Sequence, residues 1–322
     1  MNIKKIGLSA LAGSLVAFSA NAAEMSVAGS ASLNIEHTNG GFGNSGKTFS
    51  MGNQLTFTGS GEMDNGLNVS LSFVLDQGDD KTTTGAGANT PINANAPFDS
   101  HSVTISSDAL GSLTFAGEGG SSATSALDGT AAGDIWDNFD GSGDVTPTAV
   151  GTGNNMFNYS LPSFADGLSA NVSYLPTGSA AESAVGFSAT YTGVDGLSVS
   201  YGSGDGTNSN TDATAMKASY AYGPVTIAYS NYEYDTSGTS SDNETSSIKV
   251  SYTVTDEISI SYGQETIEEG TGEDVETRGI SASYTAGGMT ITAASQDIEN
   301  SAGGTAATQD RERWALSASF AF

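Results

Sequence analysis

The sequence predicts an all-β fold, a 16-stranded antiparallel transmembrane β-barrel, and three observations carry that prediction. Apolar and polar residues alternate with period two through nearly everything after residue 23, as strands do when one face meets an apolar medium. Short turns and long polar connections alternate as regularly as the strands, which an even-numbered up-and-down barrel requires. Aromatic residues collect at strand ends on the apolar parity, where a Tyr ring can lie in lipid with its hydroxyl among headgroups.

The first residues read as a processing segment. Lys4 and Lys5 form a basic region, Ile6 to Phe18 an apolar run, and Ala20-Asn21-Ala22 an A-x-A cleavage site. Residues 1–22 are therefore expected to be a signal peptide, leaving residues 23–322 as one barrel domain. The formal charge of −27 becomes −29 without Lys4 and Lys5, and so acidic a chain offers no nucleic-acid surface. Cysteine is absent, which excludes disulfides and thiolate metal sites. Charged residues make up only 14% and Gly numbers 42, a composition that taken alone would also suit a flexible secreted adhesin. Periodicity separates the two.

The first strand shows Met25, Val27, Gly29, Ala31, Leu33 and Ile35 on one parity against Ser26, Ser30, Ser32 and Asn34 on the other. Leu55 and Phe57 mark the second, Leu67 to Leu75 the third, Val103 and Ile105 the fourth, Leu113 and Phe115 the fifth. After a long interval follow Phe157/Tyr159/Leu161, Leu168 to Tyr174, Val185 to Tyr191, and Leu197/Val199/Tyr201. Then come Met216 to Tyr222, Val225/Ile227/Tyr229, Ile248/Val250/Tyr252 and Ile258/Ile260/Tyr262. Ile280/Ala282/Tyr284, Met289/Ile291/Ala293 and Trp314 to Phe322 complete sixteen. Seven short turns alternate with eight longer connections, and all six prolines fall in connections, as ladder hydrogen bonding demands.

Tyr191, Tyr220, Tyr222, Tyr252, Tyr284 and Phe322 define one aromatic girdle, and Tyr174, Tyr201, Tyr229 and Tyr262 the other. The opposite parity is Ser, Thr, Asn and Gly, too small and polar to fill a dry core, and sixteen strands leave room for an aqueous lumen. Apolar outside and wet inside implies an outer-membrane channel.

The interval Glu118 to Asn155 interrupts the strand pattern. It holds Glu118, Asp128, Asp134, Asp137, Asp140 and Asp144 with no Lys or Arg. Its segment 134–140 has helical period, placing the three Asp within a 120° arc opposite Ile135, Trp136 and Phe139. A compact domain seldom keeps so long a connection without a use.

The segment Asn158-Tyr-Ser-Leu-Pro-Ser-Phe-Ala-Asp-Gly-Leu168 and the terminal Trp314-Ala-Leu-Ser-Ala-Ser-Phe-Ala-Phe322 resemble the Gram-negative general porins, most closely the alphaproteobacterial type. The resemblance spans the whole mature chain. It implies a homotrimer in the outer membrane, passive diffusion of small hydrophilic solutes and ions, and no catalysis. It also implies a long third loop folded into the lumen, which here is 118–155. Phe320 and Phe322 would belong to the terminal signal read by the outer-membrane assembly machinery. The loop from Asp76 to Pro97 resembles the element that latches onto a neighbouring subunit.

General porins oppose acidic groups on the third loop to a basic cluster on the facing wall. This chain departs from that pattern, since its first five strands contribute no Lys or Arg to the membrane portion. Lys217, Lys249, Arg311 and Arg313 have lumen parity. With Asp134, Asp137 and Asp140 as an acidic edge and Ile135, Trp136 and Phe139 as its anchors, the expectation is cation preference.

No cofactor is required. Acidic groups such as Asp76/Asp79/Asp80 and Glu265/Glu268/Glu269/Glu273/Asp274/Glu276 could hold a loosely bound divalent cation, or could simply solvate the loops. His37 and His101 have no flanking nucleophile or metal-ligand spacing. A substrate-selective channel is the alternative, and a barrel adhesin or structural protein a more distant one.

Overall fold

The computed structural model describes residues 24–40, 46–76, 81–83, 89–91, 99–127, 129–139, 153–176, 183–206, 211–235, 242–269, 272–301 and 310–322. In chain order the strands are β1 (Glu24–Gly40), β2 (Gly46–Glu62), β3 (Asn68–Asp76), β4 (Lys81–Thr83), β5 (Asn89–Pro91), β6 (Ser100–Ser107) and β7 (Gly111–Glu118). Next come β8 (Met156–Ser160), β9 (Leu168–Leu175), β10 (Ala184–Tyr191), β11 (Leu197–Asp205), β12 (Asp212–Tyr222) and β13 (Val225–Asp235). The last five are β14 (Asn243–Thr253), β15 (Ile258–Glu269), β16 (Val275–Ala286), β17 (Met289–Glu299) and β18 (Arg311–Ala321). Sixteen of them form one closed antiparallel barrel, each pairing with its sequence neighbours, while β4 and β5 make a separate hairpin. The barrel closes where β1 pairs with β18, from Ser30 opposite Ala321 to Gly40 opposite Arg311. Closure leaves no unpaired strand edge, the condition for a sheet to stand in lipid.

Alternation sets the two surfaces. On β16, Ile280 and Tyr284 are exposed on the outside, while Thr277, Gly279, Ser281 and Ser283 take the inward parity. Inward hydroxyls pair across strands, Thr104 with Thr114 at 2.9 Å, Thr190 with Ser200 at 2.8 Å, and Ser261 with Ser281 at 2.8 Å. Outward rings pair as well: Phe57 and Phe73 stack at 4.9 Å between centroids, and Phe115 lies 5.0 Å from Phe157. The short turns fall where the sequence places them, and Gly196 (φ 75°) and Gly223 (φ 57°) supply the positive φ that two of them need.

The final residue takes part in closure. Phe322 exchanges backbone hydrogen bonds with Gly29, at 2.7 and 3.0 Å, and its ring lies over the space a Cβ on Gly29 would occupy. Gly29→Val should therefore push the terminal ring off β1 and lower the thermal stability of the folded barrel. Heat-modified gel mobility checks this, and an unshifted unfolding temperature would show that the contact is dispensable.

Two sequence expectations lie wholly or mainly outside the described residues. These are the signal peptide, 1–22, and the latch-like loop 76–97 apart from β4, β5 and Asp76.

Candidate functional site

The chain leaves β7 and enters the barrel. Gly119 (φ 64°) turns it inward, and Gly120 and Gly153 exchange backbone hydrogen bonds of 3.2 and 3.1 Å that close the root of the loop. A segment inside the lumen has no ladder partner, so its N–H groups must find other acceptors. Here the wall supplies them strand by strand. Ala123 N–H donates to Ser173 Oγ on β9 (2.8 Å), Ala131 N–H to Ser230 Oγ on β13 (2.8 Å), and Ala132 N–H to Ser247 Oγ on β14 (2.9 Å). Tyr232 on β13 donates its hydroxyl to the Gly129 carbonyl at 2.7 Å. Leu127 fills a small apolar contact with Ala215 and Tyr232.

Glu265 on β15 is the densest attachment, and it is fully buried. Its carboxylate accepts from Ile135 N–H at 3.1 Å, Trp136 N–H at 3.0 Å, the Thr277 hydroxyl at 2.9 Å and the Thr130 hydroxyl. Thr130 Oγ1 in turn accepts from Asp134 N–H (2.8 Å) and Gly133 N–H (3.1 Å). Beside it, Ile135 and Phe139 pack into a cluster with Ile267, Val275 and Ile298 of β15, β16 and β17, with Trp136 partly buried against it. Arg311 on β18 donates to the Phe139 carbonyl at 3.4 Å and to Ser301 Oγ at 2.9 Å, its guanidinium 5.6 Å from the Phe139 ring centre. The loop therefore runs along the inner wall from β9 round to β18.

Glycines make room for it. A Cβ on Gly202 of β11 would stand 2.7 Å from Leu127 Cδ1, and one on Gly263 of β15 would stand 2.7 Å from Ala132 Cβ. Gly279 of β16 faces Ile135 Cδ1 at 3.4 Å in the same sense.

The structure revises the expected helix. Between Asp134 and Phe139 a single turn of 3₁₀-helix forms, Trp136–Asn138, and Asp134 precedes it with φ 53°, a conformation Asp tolerates better than most residues. Asp134 and Asp137 therefore do not share one continuous helical face. Asp134 turns its carboxylate back to accept from Thr130 N–H at 2.8 Å, which holds the turn together, whereas Asp137 is exposed. Asp128, Asp140 and Asp144 lie outside the described residues.

Glu118 does not join the loop's acidic group. A bulge at the His101/Ser102 step re-aims the end of β7, and Glu118 lies 3.8 Å from His101 Nδ1. His101 shares parity with the outward Val103 and Ile105, so this pair belongs to the outer face. Glu265, which the sequence groups with a loop cluster, is instead a buried strand residue that holds the loop.

The four basic residues of lumen parity stand on the wall that carries the loop. Lys217 is paired in register with Ser230, and Lys249 with Gly263, beside the loop residues already described; both are half-buried. Arg313 is buried and bound to Glu36 Oε2 at 2.5 and 3.0 Å and to Gln296 Oε1 at 2.6 Å. Among the described residues no inward Lys or Arg stands on β1 to β9. No group of three or more Asp, Glu or His converges to hold a metal among the described residues.

A family model described as Gram-negative porin matches residues 7–277. No curated protein matches the sequence. Solved structures share the fold at low identity. A multiply substituted Rhodopseudomonas blastica porin has a TM-score of 0.68 at 14% identity, covering 93% of this chain and 100% of that one. Salmonella typhi OmpF, in complex with daunomycin, has a TM-score of 0.69 at 14% identity, covering 95% and 99%. An anion-selective porin from Comamonas acidovorans has a TM-score of 0.64 at 14% identity, covering 93% and 100%.

Proposed function

This chain belongs to the Gram-negative porin family, an outer-membrane channel and not an enzyme, and we propose that its channel prefers cations. A neighbour of this fold is anion-selective, so the barrel alone does not set the sign; the charged residues must. The observation that carries the proposal is the pairing of an exposed loop carboxylate, Asp137, with a facing wall that has no inward Lys or Arg. Arg313 is neutralised by Glu36, and Lys217 and Lys249 stand on the loop's own side. A cation crossing the gap meets uncompensated negative charge in a narrow, low-dielectric passage, and an anion is repelled.

The passage serves small hydrophilic solutes and ions by passive diffusion. Residues 1–22 are read as a leader lost on export, and Phe320 and Phe322 as part of the signal for barrel assembly. Any divalent cation is held loosely at acidic loops, without a dedicated site. The zero-current potential of the purified protein across a planar bilayer with a KCl gradient tests the sign. It should lie on the K⁺ side, and a value on the Cl⁻ side would overturn the electrostatic reading.

The same reading makes the protein a homotrimer. All 12 Tyr fall at or after Tyr159, so β1 to β7 carry none of the girdle residues that mark a lipid-facing arc. Their outward face instead presents Phe49, Met51 and Leu55 with the small residues Ala31 and Gly59, a surface suited to close approach by a second copy. Conductance should appear in steps of three.

A further inference from the structure

The described residues of the loop lie along the wall from β9 to β18, and the opposite wall, β2 to β9, also faces the lumen that a solute passes. Between the end residues Glu62 and Asp76 this wall has no inward charge among the described residues. Uncharged hydrogen-bonding groups stand in unbroken register across six strands: Ser60, Ser70, Thr104, Thr114, Asn158 and Ser173. One row closer to the turns, Ser106, Ser112, Ser160 and Asn171 repeat the pattern on β6 to β9.

These rows run into a cavity of ≈ 470 Å³ between the wall and the first residues of the loop. Thr114, Asn158, Ser160 and Asn171 line it from the wall, and Ser122 and Ser125 from the loop. The lining groups are already organised. Ser160 Oγ donates to Asn171 Oδ1 at 2.6 Å, Asn158 Nδ2 to the Ser121 carbonyl at 3.1 Å, and the Ser122 and Ser125 hydroxyls lie 3.1 Å apart. A hydroxyl or carboxamide engaged once still has donor or acceptor capacity to offer. Among the described residues no charged or aromatic side chain contributes to the lining.

We propose that this cavity is a subsite for uncharged polyhydroxylated solutes of about monosaccharide to disaccharide size, set on the permeation path at the root of the loop. Its volume falls within the usual range for small-molecule sites. The described lining groups carry no charge and give neither a cation nor an anion a Coulombic reason to shed its hydration shell. A polyol, by contrast, exchanges water for fixed donors and acceptors on both sides of the cavity. The inference rests on the channel reading above and adds a solute class to it.

The test uses sucrose as the probe in single-channel recordings of the full-length protein, with tetraethylene glycol as a flexible control poor in hydroxyls. Sucrose should produce saturable current block, and the glycol only a reduction proportional to its concentration. Asn171→Leu and the near-isosteric Thr114→Val should each weaken the sucrose block about fivefold, the loss expected for one hydrogen bond, while conductance without sucrose persists. Thr114→Val serves if the leucine variant does not fold. Sucrose that acts like the glycol, or saturable block unchanged in both variants, would overturn the subsite while leaving the channel intact. A protein that inserts and passes no ions would instead overturn the channel reading, and the subsite with it.

Discussion

Glu265→Leu is expected to release the loop and turn a steady conductance into a larger, fluctuating one. The carboxylate is the shared acceptor for two loop amides, the Thr130 hydroxyl and the Thr277 hydroxyl. Leucine fills part of the volume and accepts nothing, so the Ile135 and Trp136 N–H groups lose their partner on the wall. Each bond to a charged acceptor contributes roughly 1.5–3 kcal/mol. Losing two shifts the docking equilibrium about a hundredfold or more toward a free loop. Glu265→Gln keeps one acceptor oxygen and should be intermediate. Unchanged single-channel conductance and noise in the leucine variant would mean that the apolar pins, Ile135 and Phe139, hold the loop unaided.

Gly263→Val should lift the same segment by sterics alone. Valine is at home in a strand, so the ladder of β15 with β14 and β16 tolerates it. The added Cβ, however, would stand 2.7 Å from Ala132 Cβ and 3.2 Å from Ala132 Cα, and part of that obstacle is backbone that cannot rotate away. The barrel should therefore assemble with normal heat resistance while conductance rises and ion discrimination falls. A variant with normal conductance would show that the loop yields by a few tenths of an ångström without leaving the wall. The two substitutions act from one strand on the same loop segment, one through hydrogen bonds and one through space, so agreement between them would be hard to attribute to misfolding.

The barrel was legible because lipid and water enforce a strict period of two. Every strand from Met25 to Phe322 declares its faces, and the turns lie where Gly and Pro put them. The loop's interior was less so. Ile135, Trp136 and Phe139 suggested an α-helix by spacing, but attachment to Glu265 and the turn at Gly133–Asp134 leave only one 3₁₀ turn. Two features of the sequence nevertheless mark the covered wall. Ile267, Val275 and Ile298 are apolar residues on the wet parity of adjacent strands, in or next to register, which implies that something covers them. Gly202, Gly263 and Gly279 are inward glycines in mid-strand, the mark of a close backbone approach. Glu265 could not be told from its acidic neighbours without strand boundaries, because one residue of offset decides whether a carboxylate faces lumen or lipid. Glu118 departs from its sequence parity for a related reason, since the bulge opposite His101 reverses it and nothing in the local sequence announces the bulge.

The proposed origin of the selectivity is the loop's carboxylates, chiefly the exposed Asp137. Its most direct test is the zero-current potential of Asp137→Asn, alone and combined with Asp134→Asn and Asp140→Asn, in the same KCl gradient as the unaltered protein. One charge about 7 Å from an ion in a water-like medium raises local cation concentration and lowers local anion concentration roughly threefold each, so the single substitution should lower the K⁺/Cl⁻ permeability ratio by roughly sevenfold and the triple one further. A ratio that stays at the unaltered value in the triple variant would place the selectivity of this channel somewhere other than the loop.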